Sequence, residues 1–254
     1  MESGVAQPLL LPPRAGELIG DSVDRRVELL SDHDALHATW SRFGPGRDGA
    51  DLHIHRRHTD LFYVLEGELT LALGPAGEST VAPAGTLVRV PPLVVHGFRN
   101  GGDVELRYLN FHAPGEGFAG YLRARRDGLE ASFDSEDPPA NGGLSPGVAS
   151  IGRGEFDDES PGLGVTSLAD GDEVGIFELR LAPGSTRSFS PPGTRRGITC
   201  FYVLTGELAL TAGGRELRAQ AGAWVQLPPG VPHSFACAGT ELVSFLQIHP
   251  RLAG

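Results

Sequence analysis

The fold is decided by residues 62–74, which read FYVLEGELTLALG and recur at residues 201–213 as FYVLTGELALTAG. A second segment repeats in the same order: residues 84–98 read AGTLVRVPPLVVHGF and residues 221–235 read AGAWVQLPPGVPHSF. Two matches in the same order and at nearly the same separation indicate an internal duplication. The chain is therefore predicted to contain two copies of one structural unit.

Each copy is predicted to consist of short β-strands. Residues 62–65 and 69–73 are rich in aromatic and aliphatic side chains and are joined by a turn at Glu66-Gly67. The chain also has 36 glycines and 20 prolines, which favour many turns. Short strands between such turns are typical of a sandwich or small barrel. Helical periodicity over residues 116–126 predicts one short helix after the last strand of the first copy.

The length of 254 residues is sufficient for two domains with separate cores. We expect an amino-terminal domain over residues 1–130 and a carboxy-terminal domain over residues 148–254. Between them, residues 131–147 are polar, acidic and rich in proline and glycine, which predicts a linker.

The composition excludes several classes of function. The net charge of −11 disfavours nucleic acid and anionic membranes as partners. No lysine is present, which excludes Schiff-base chemistry at a lysine. Two cysteines provide no disulfide framework, and no apolar stretch is long enough to span a membrane. We therefore expect a soluble, cytoplasmic protein, either a monomer or a homodimer, that acts on a small molecule.

The polar residues around the first repeat predict a metal site. His53 and His55 are two residues apart, so on one strand their side chains face the same way, with Cα atoms about 6.6 Å apart. Asp60 and His96 each begin a nearby strand and can reach the same point. Three imidazoles and one carboxylate suit one divalent transition metal ion, Fe, Mn, Ni, Cu or Zn, with positions left for substrate. His58 is left outside this set because its spacing does not fit.

These residues resemble the two sequence motifs of the cupin family. The motif positions that match are Gly49, His53, His55, Asp60 and Gly67 for the first motif and Gly85, Pro91, His96 and Asn100 for the second. Asp60 stands where the family usually has glutamate, and Leu93 stands where it has glycine. The resemblance implies an all-β chain of two tandem cupin barrels, of the double-stranded β-helix or jelly-roll type, with the metal in the first.

The second copy departs from this pattern. By alignment of the repeats, Pro192, Thr194 and Thr199 replace His53, His55 and Asp60, and His233 alone is retained. One histidine without a carboxylate cannot hold a divalent metal tightly, so we predict that the carboxy-terminal barrel is metal-free.

Residues 110–125, NFHAPGEGFAGYLRAR, and 133–139, FDSEDPP, also look like quercetin dioxygenase-like bicupins. This resemblance implies a metal-dependent dioxygenase acting on a small polyphenol-like or enolisable substrate. In that scheme, Asp60 acts as a general base on the substrate hydroxyl group. Two alternatives stay open: a cupin isomerase or cyclase that consumes no oxygen, and a non-catalytic protein that binds a small molecule.

Overall fold

The computed structural model describes residues 7–189 and 197–251, which form two compact units. The amino-terminal unit is Glu17–Arg153, and the carboxy-terminal unit is Met1–Gly16 together with Gly154–Gly254. These limits differ from the expected domains in two ways. Residues 131–147, expected to be a linker, lie inside the amino-terminal unit. Strand β1 (Leu9–Leu11), near the start of the chain, belongs to the carboxy-terminal unit.

The amino-terminal unit is made of eleven described strands and one helix. The strands are β2 (Glu17–Asp21), β3 (Arg25–His33), β4 (Leu36–Phe43), β5 (Asp48–His53), β6 (Thr59–Glu66), β7 (Glu68–Leu73), β8 (Glu78–Pro83), β9 (Leu87–Val90), β10 (His96–Arg99), β11 (Leu106–Ala113) and β12 (Ser150–Gly152). Helix α1 is Phe118–Arg126. A short 3₁₀ helix, Pro146–Val148, precedes the last strand.

These strands form two antiparallel sheets with the core between them. One sheet has the order β12-β9-β6-β11-β4-β3-β2, and the other has the order β5-β10-β7-β8. Alternate residues point inward, so Phe62 and Val64 from β6 pack with Leu69 and Leu71 from β7. All four side chains are buried, and each contributes about 1.5–3 kcal/mol of hydrophobic stabilisation.

Helix α1 packs on the first sheet, as its periodicity predicts. It begins two residues later than expected because Glu116 and Gly117 adopt positive φ angles, 45° and 74°. Its buried residues, Ala119 and Leu122, belong to a cluster with side chains of β2 and β3. This packing leaves α1 beside the cavity described below.

The carboxy-terminal unit repeats the architecture. Its further strands are β13 (Asp157–Ser160), β14 (Leu163–Asp170), β15 (Val174–Leu181), β16 (Thr186–Phe189), β17 (Thr199–Thr205), β18 (Glu207–Ala212), β19 (Arg215–Gln220), β20 (Trp224–Leu227), β21 (His233–Cys237) and β22 (Val243–Pro250). They form the sheets β1-β20-β17-β22-β15-β14-β13 and β16-β21-β18-β19. The two repeated stretches thus fold alike, as β6–β7 and as β17–β18, and the predicted duplication is confirmed.

The repeated turn between these strand pairs requires glycine in both units. Gly67 has φ +74°, and a Cβ atom there would lie 2.5 Å from the carbonyl oxygen of Glu105. Gly206 has φ +73°, and its Cβ would lie 2.8 Å from the carbonyl oxygen of Leu242. A side chain would therefore be both conformationally strained and in collision with the backbone.

Leu93, which replaces the glycine of the family motif, has φ +67°. We predict that Leu93→Gly is more stable than Leu93→Ala by about 1 kcal/mol, because only glycine avoids the Cβ strain of this conformation. Chemical denaturation of both variants measures the difference. Alanine is the matched control, since both substitutions remove the rest of the leucine side chain. Equal free energies of unfolding would show that position 93 is not strained.

Candidate metal centre

Strand pairing brings the predicted ligands together at one end of the amino-terminal unit. His53 is the last residue of β5, His96 is the first residue of β10, and the two face each other in the antiparallel register. Asp60 is the second residue of β6. His55 was expected on the same strand as His53, but it lies beyond the end of β5, so strand pairing does not position it. Its backbone carbonyl instead accepts a hydrogen bond of 2.7 Å from the N–H of Leu93.

Hydrogen bonds to the backbone determine the tautomer of all three histidines. Nδ1 of His53 donates to the carbonyl of Asp51 at 2.7 Å, and Nδ1 of His96 donates to the carbonyl of Val94 at 2.8 Å. Nδ1 of His55 bonds in the same way to the carbonyl of residue 134. A carbonyl oxygen can only accept, so each Nδ1 carries the hydrogen. In the neutral imidazole each Nε2 atom is then left with a lone pair.

These Nε2 atoms converge. Nε2 of His53 and Nε2 of His55 are 3.1 Å apart, and the ligand atoms of His53, His55 and His96 all lie within 4.8 Å of one another. Two lone pairs facing each other at this distance repel unless a cation lies beside them. Two nitrogen ligands about 2.1 Å from an ion and at a right angle lie about 3.0 Å apart. The observed separation therefore fits a divalent metal ion.

Asp60 lies beside this histidine group, with its two oxygen atoms in different surroundings. Oδ2 is 3.4 Å from Nε2 of His96 and 3.8 Å from Nε2 of His55. Oδ1 accepts a hydrogen bond from the amide of Asn110 and lies 3.4 Å from Nε2 of His112. Burial alone would raise the pKa of Asp60, but the adjacent His112 holds it well below its ordinary value. The carboxylate is therefore ionised next to the three Nε2 atoms.

A second group, His55, His58 and His112, also has ligand atoms within 4.8 Å of one another. His58 stacks on both of the other rings, since the His55–His58 planes meet at 30° and the His58–His112 planes at 25°, while His55 and His112 are tilted at 46°. The in-plane lone pairs of stacked rings run side by side and do not meet. In the first group the planes cross at 46° to 73°, which lets the lone pairs converge. The first group is therefore the better metal site.

Burial lowers the pKa of three imidazoles at this end of the unit, those of His53, His58 and His112. Burial, together with the neighbouring His96 and His55, lowers the pKa of His53 to about 4. Burial and the adjacent His112 lower the pKa of His58 to about 2. Burial also lowers the pKa of His112, although the Asp60 carboxylate opposes this shift. His53, the most solvent-accessible ligand candidate, thus needs no deprotonation to bind a metal at neutral pH.

Sequence reasoning missed several residues that contact the site. Asn110 and His112 reach Asp60 from β11, while Phe133 and Asp134 come from the segment expected to be a linker. Asp134 is 6% exposed. Its pKa is lowered because backbone N–H groups bond its carboxylate, against the effect of burial. The signal in the sequence was the stretch of residues 133–139, which carried a family resemblance although its composition was typical of a linker.

A cavity of about 370 Å³ adjoins the histidines. It is lined by aromatic side chains from two directions, the sheets and the segment that follows β11: Phe43, Phe98, Tyr108, Phe118, Tyr121 and Phe133. Phe98 and Tyr108 reach the cavity from β10 and β11.

Arg56 and Arg57 do not offer free positive charge to the cavity. Arg56 forms a bidentate ion pair with Glu136, with both N···O distances 2.7 Å, and Arg57 lies 3.2 Å from a carboxylate oxygen of Glu116. The cation among the lining residues is instead Arg25, whose guanidinium lies 5.9 Å from the ring centre of Phe43.

The corresponding part of the carboxy-terminal unit is only partly described. Pro192 and Thr194 lie outside the described residues, and Thr199 begins β17 in a buried position. His233 begins β21, and its Nδ1 donates to the carbonyl of Val231 at 3.1 Å, as His96 does to Val94. Within residues 7–189 and 197–251, groups of three potential ligand side chains occur in the amino-terminal unit alone.

Comparison with known families identifies the class of protein. The family model described as the cupin domain matches residues 39–112 and 177–249, which together are more than half of the chain. The chain therefore belongs to the cupin family. Because the model matches once in each unit, it is a bicupin.

The similarity to individual proteins is lower or covers less of the chain than the match to the family model. Quercetin 2,3-dioxygenase of Bacillus subtilis (strain 168) is 32% identical over 96 residues, or 37% of this chain and 28% of that protein. A variant of Bacillus subtilis oxalate decarboxylase superposes with TM-score 0.69 at 16% identity, over 98% of this chain and 78% of that one. A putative glyoxylate-induced protein from Pseudomonas aeruginosa gives TM-score 0.63 at 16% identity, over 91% and 83%. Both structures share the fold.

The alignment with the dioxygenase thus spans little more than a quarter of that protein's length. In the described part of this chain, no helix has both the length and the apolar character needed to cross a membrane.

The converging Nε2 atoms lead to a prediction about metal content. Purified wild-type protein is expected to bind about one equivalent of divalent transition metal per chain, measured by elemental analysis after gel filtration. His96→Ala is expected to lose it, because this substitution removes one of three ligand nitrogens. His233→Ala, the corresponding change in the other unit, is the control and should keep it. Equal metal content in the two variants would place the metal elsewhere.

Proposed function

We propose that this bicupin is a metal-dependent dioxygenase that acts on a small, planar polyphenol-like or enolisable compound in its amino-terminal unit. The observation that carries the proposal is the set of three Nε2 lone pairs beside an ionised carboxylate, at the wall of an aromatic cavity. Reactive metal centres of enzymes combine such an open donor set with an adjoining pocket of this kind.

His53, His55 and His96 hold the metal ion in this proposal, and the Asp60 carboxylate is available as a fourth ligand. The bound ion supplies Lewis acidity and, for a redox-active metal, the means of reaction with dioxygen. The backbone carbonyls that bind the three Nδ1 hydrogens keep the imidazoles oriented during turnover.

Asp60 is suited to accept the proton of the substrate hydroxyl group. Its Oδ1 is tied to the Asn110 amide, whereas Oδ2 faces the site. Because the pKa of Asp60 lies well below its ordinary value, Oδ2 is unprotonated at neutral pH, as a proton acceptor must be. The nearby His112 can share that proton through Oδ1, 3.4 Å from its Nε2.

The shape and lining of the cavity support a planar substrate. Phe118, Tyr121 and Phe133 have ring centres 4.5 to 5.6 Å apart and form one aromatic wall. Aromatic side chains bind flat rings by stacking or edge contacts at such distances. Tyr108 is fully buried and its pKa is raised by that burial, so its hydroxyl stays protonated. Arg25 favours a substrate with phenolate or other negative character.

The similarity to quercetin 2,3-dioxygenase supports the same substrate class, although it covers 96 residues only. The fold shared with oxalate decarboxylase adds no support for a particular reaction, because one fold hosts many activities.

The metal-loaded protein is expected to consume one molecule of dioxygen per molecule of flavonol or related enediol. Asp60→Asn is expected to lower kcat by about 100-fold or more at equal metal content, because the amide cannot accept the proton. An oxygen electrode measures the dioxygen consumed and kcat, and mass spectrometry of the product formed with ¹⁸O₂ checks that dioxygen is the source of the added oxygen. Asp103→Asn, the same chemical change at an exposed site, is the control.

Three results would contradict the proposal of a dioxygenase. Product formed at the same rate under strict anoxia would indicate an isomerase or cyclase. Tight ligand binding without any product would indicate a binding protein. Oxygen uptake that is unchanged in His53→Ala would show that the proposed metal site is not involved.

A further inference from the structure

The metal site includes a segment that lies far away in the sequence. Residues 133–136, here named the strap, lie alongside the residues that follow β5. The N–H of Ile54 donates to the carbonyl of Glu136 at 2.9 Å, and the N–H of Glu136 donates to the carbonyl of Ile54 at 3.0 Å. This pair of hydrogen bonds forms an isolated antiparallel bridge next to His55.

The strap residue Asp134 contacts each of the four residues in the turn of residues 55–58. Its backbone carbonyl accepts the Nδ1 hydrogen of His55. Its carboxylate accepts the backbone N–H of Arg56 at 3.0 Å, the backbone N–H of Arg57 at 2.7 Å, and the Nδ1 hydrogen of His58 at 3.0 Å. Hydrogen bonds to an ionised carboxylate are stronger than those between neutral groups, and this carboxylate is almost completely buried.

These contacts position His55, which lies outside the strand ladder. His53 and His96 are held by the ladder between β5 and β10, but the ladder ends at His53. The direction of the His55 ring therefore depends on the turn of residues 55–58 and on the strap. A buried carboxylate that bonds two successive N–H groups determines the conformation of that turn.

The bond from His55 to the strap also leaves Nε2 of His55 as the atom that faces His53. A histidine ligand whose other nitrogen is bound in this way keeps both its tautomer and its ring orientation. The His58 ring, held by the same carboxylate, stacks on the His55 ring, with ring centres 4.0 Å apart.

We propose that Asp134 is a positioning residue for metal binding, and that docking of the strap and binding of the metal stabilise each other. This inference rests on the metal site of the proposed function. Linkage is reciprocal, so a strap that raises metal affinity must itself be held more firmly when metal is bound. Residues 133–136 therefore belong to the site and do not act as a spacer between domains.

The test compares two carboxylate-to-amide substitutions in the strap. Asp134→Asn removes the negative charge of the carboxylate that accepts hydrogen bonds from the turn. Glu136→Gln removes an exposed ion pair with Arg56 and keeps the backbone bridge. Affinity for Co²⁺ is measured by competition with a chromophoric chelator. Asp134→Asn is expected to weaken Co²⁺ binding by about 10- to 100-fold. Glu136→Gln is expected to change it by less than about threefold. The visible spectrum of bound Co²⁺ should shift in Asp134→Asn alone.

A second measurement uses the wild-type protein and does not depend on how the variants fold. Amide hydrogen exchange of Ile54 and Glu136 is followed with and without Co²⁺, and the metal is expected to slow both. Exchange of amides in β18 of the other unit is the control and should not change.

The outcomes separate this inference from the proposed function. Wild-type affinity and an unchanged Co²⁺ spectrum in Asp134→Asn would overturn the positioning role while leaving the metal site intact. Metal-independent exchange at Ile54 and Glu136 would do the same. Wild-type protein that takes up no Co²⁺ would overturn both proposals together.

Discussion

The candidate site depends on one kind of interaction, the hydrogen bond from a histidine Nδ1 to a backbone carbonyl. His53, His55 and His96 each make one, to Asp51, residue 134 and Val94. Because a carbonyl cannot donate, these bonds assign the hydrogen to Nδ1 and direct the lone pair of Nε2 inward. The same bond in the other unit, from His233 to Val231, shows that the duplicated backbone provides the acceptor whether or not other ligands are present.

Burial gives these polar groups their chemical character. His58 and His112 are buried and Asp60 is 3% exposed, and burial lowers the pKa of both imidazoles although each has a carboxylate beside it. The Asp60 carboxylate stays ionised because His112 and the Asn110 amide lie against it. Its negative charge beside the histidine nitrogens attracts a cation and provides a proton acceptor next to it.

Much of the fold follows from local pattern. The repeated FYVL strands alternate apolar residues toward a core, and a positive φ angle that both units share requires the glycine between the two strands of each pair. Two of the candidate ligands named from the sequence, His53 and His96, are direct partners in the register between β5 and β10. The limits of the units could not be predicted from this local pattern, because the sequence of a short edge strand such as β1 does not indicate which sheet it will join.

The sequence by itself determined the duplication and the strands, because these depend on residue type and on spacing along the chain, and it offered His53, His55 and His96 as candidate ligands. Only the tertiary structure decided that Asp134, 79 residues after His55, holds that histidine in place. It also decided that His112 on β11 reaches Asp60. The physical reason is that a hydrogen bond needs only proximity and direction in space. Composition suggested a solvated spacer for residues 131–147, but a carboxylate is as well satisfied by buried N–H groups as by water.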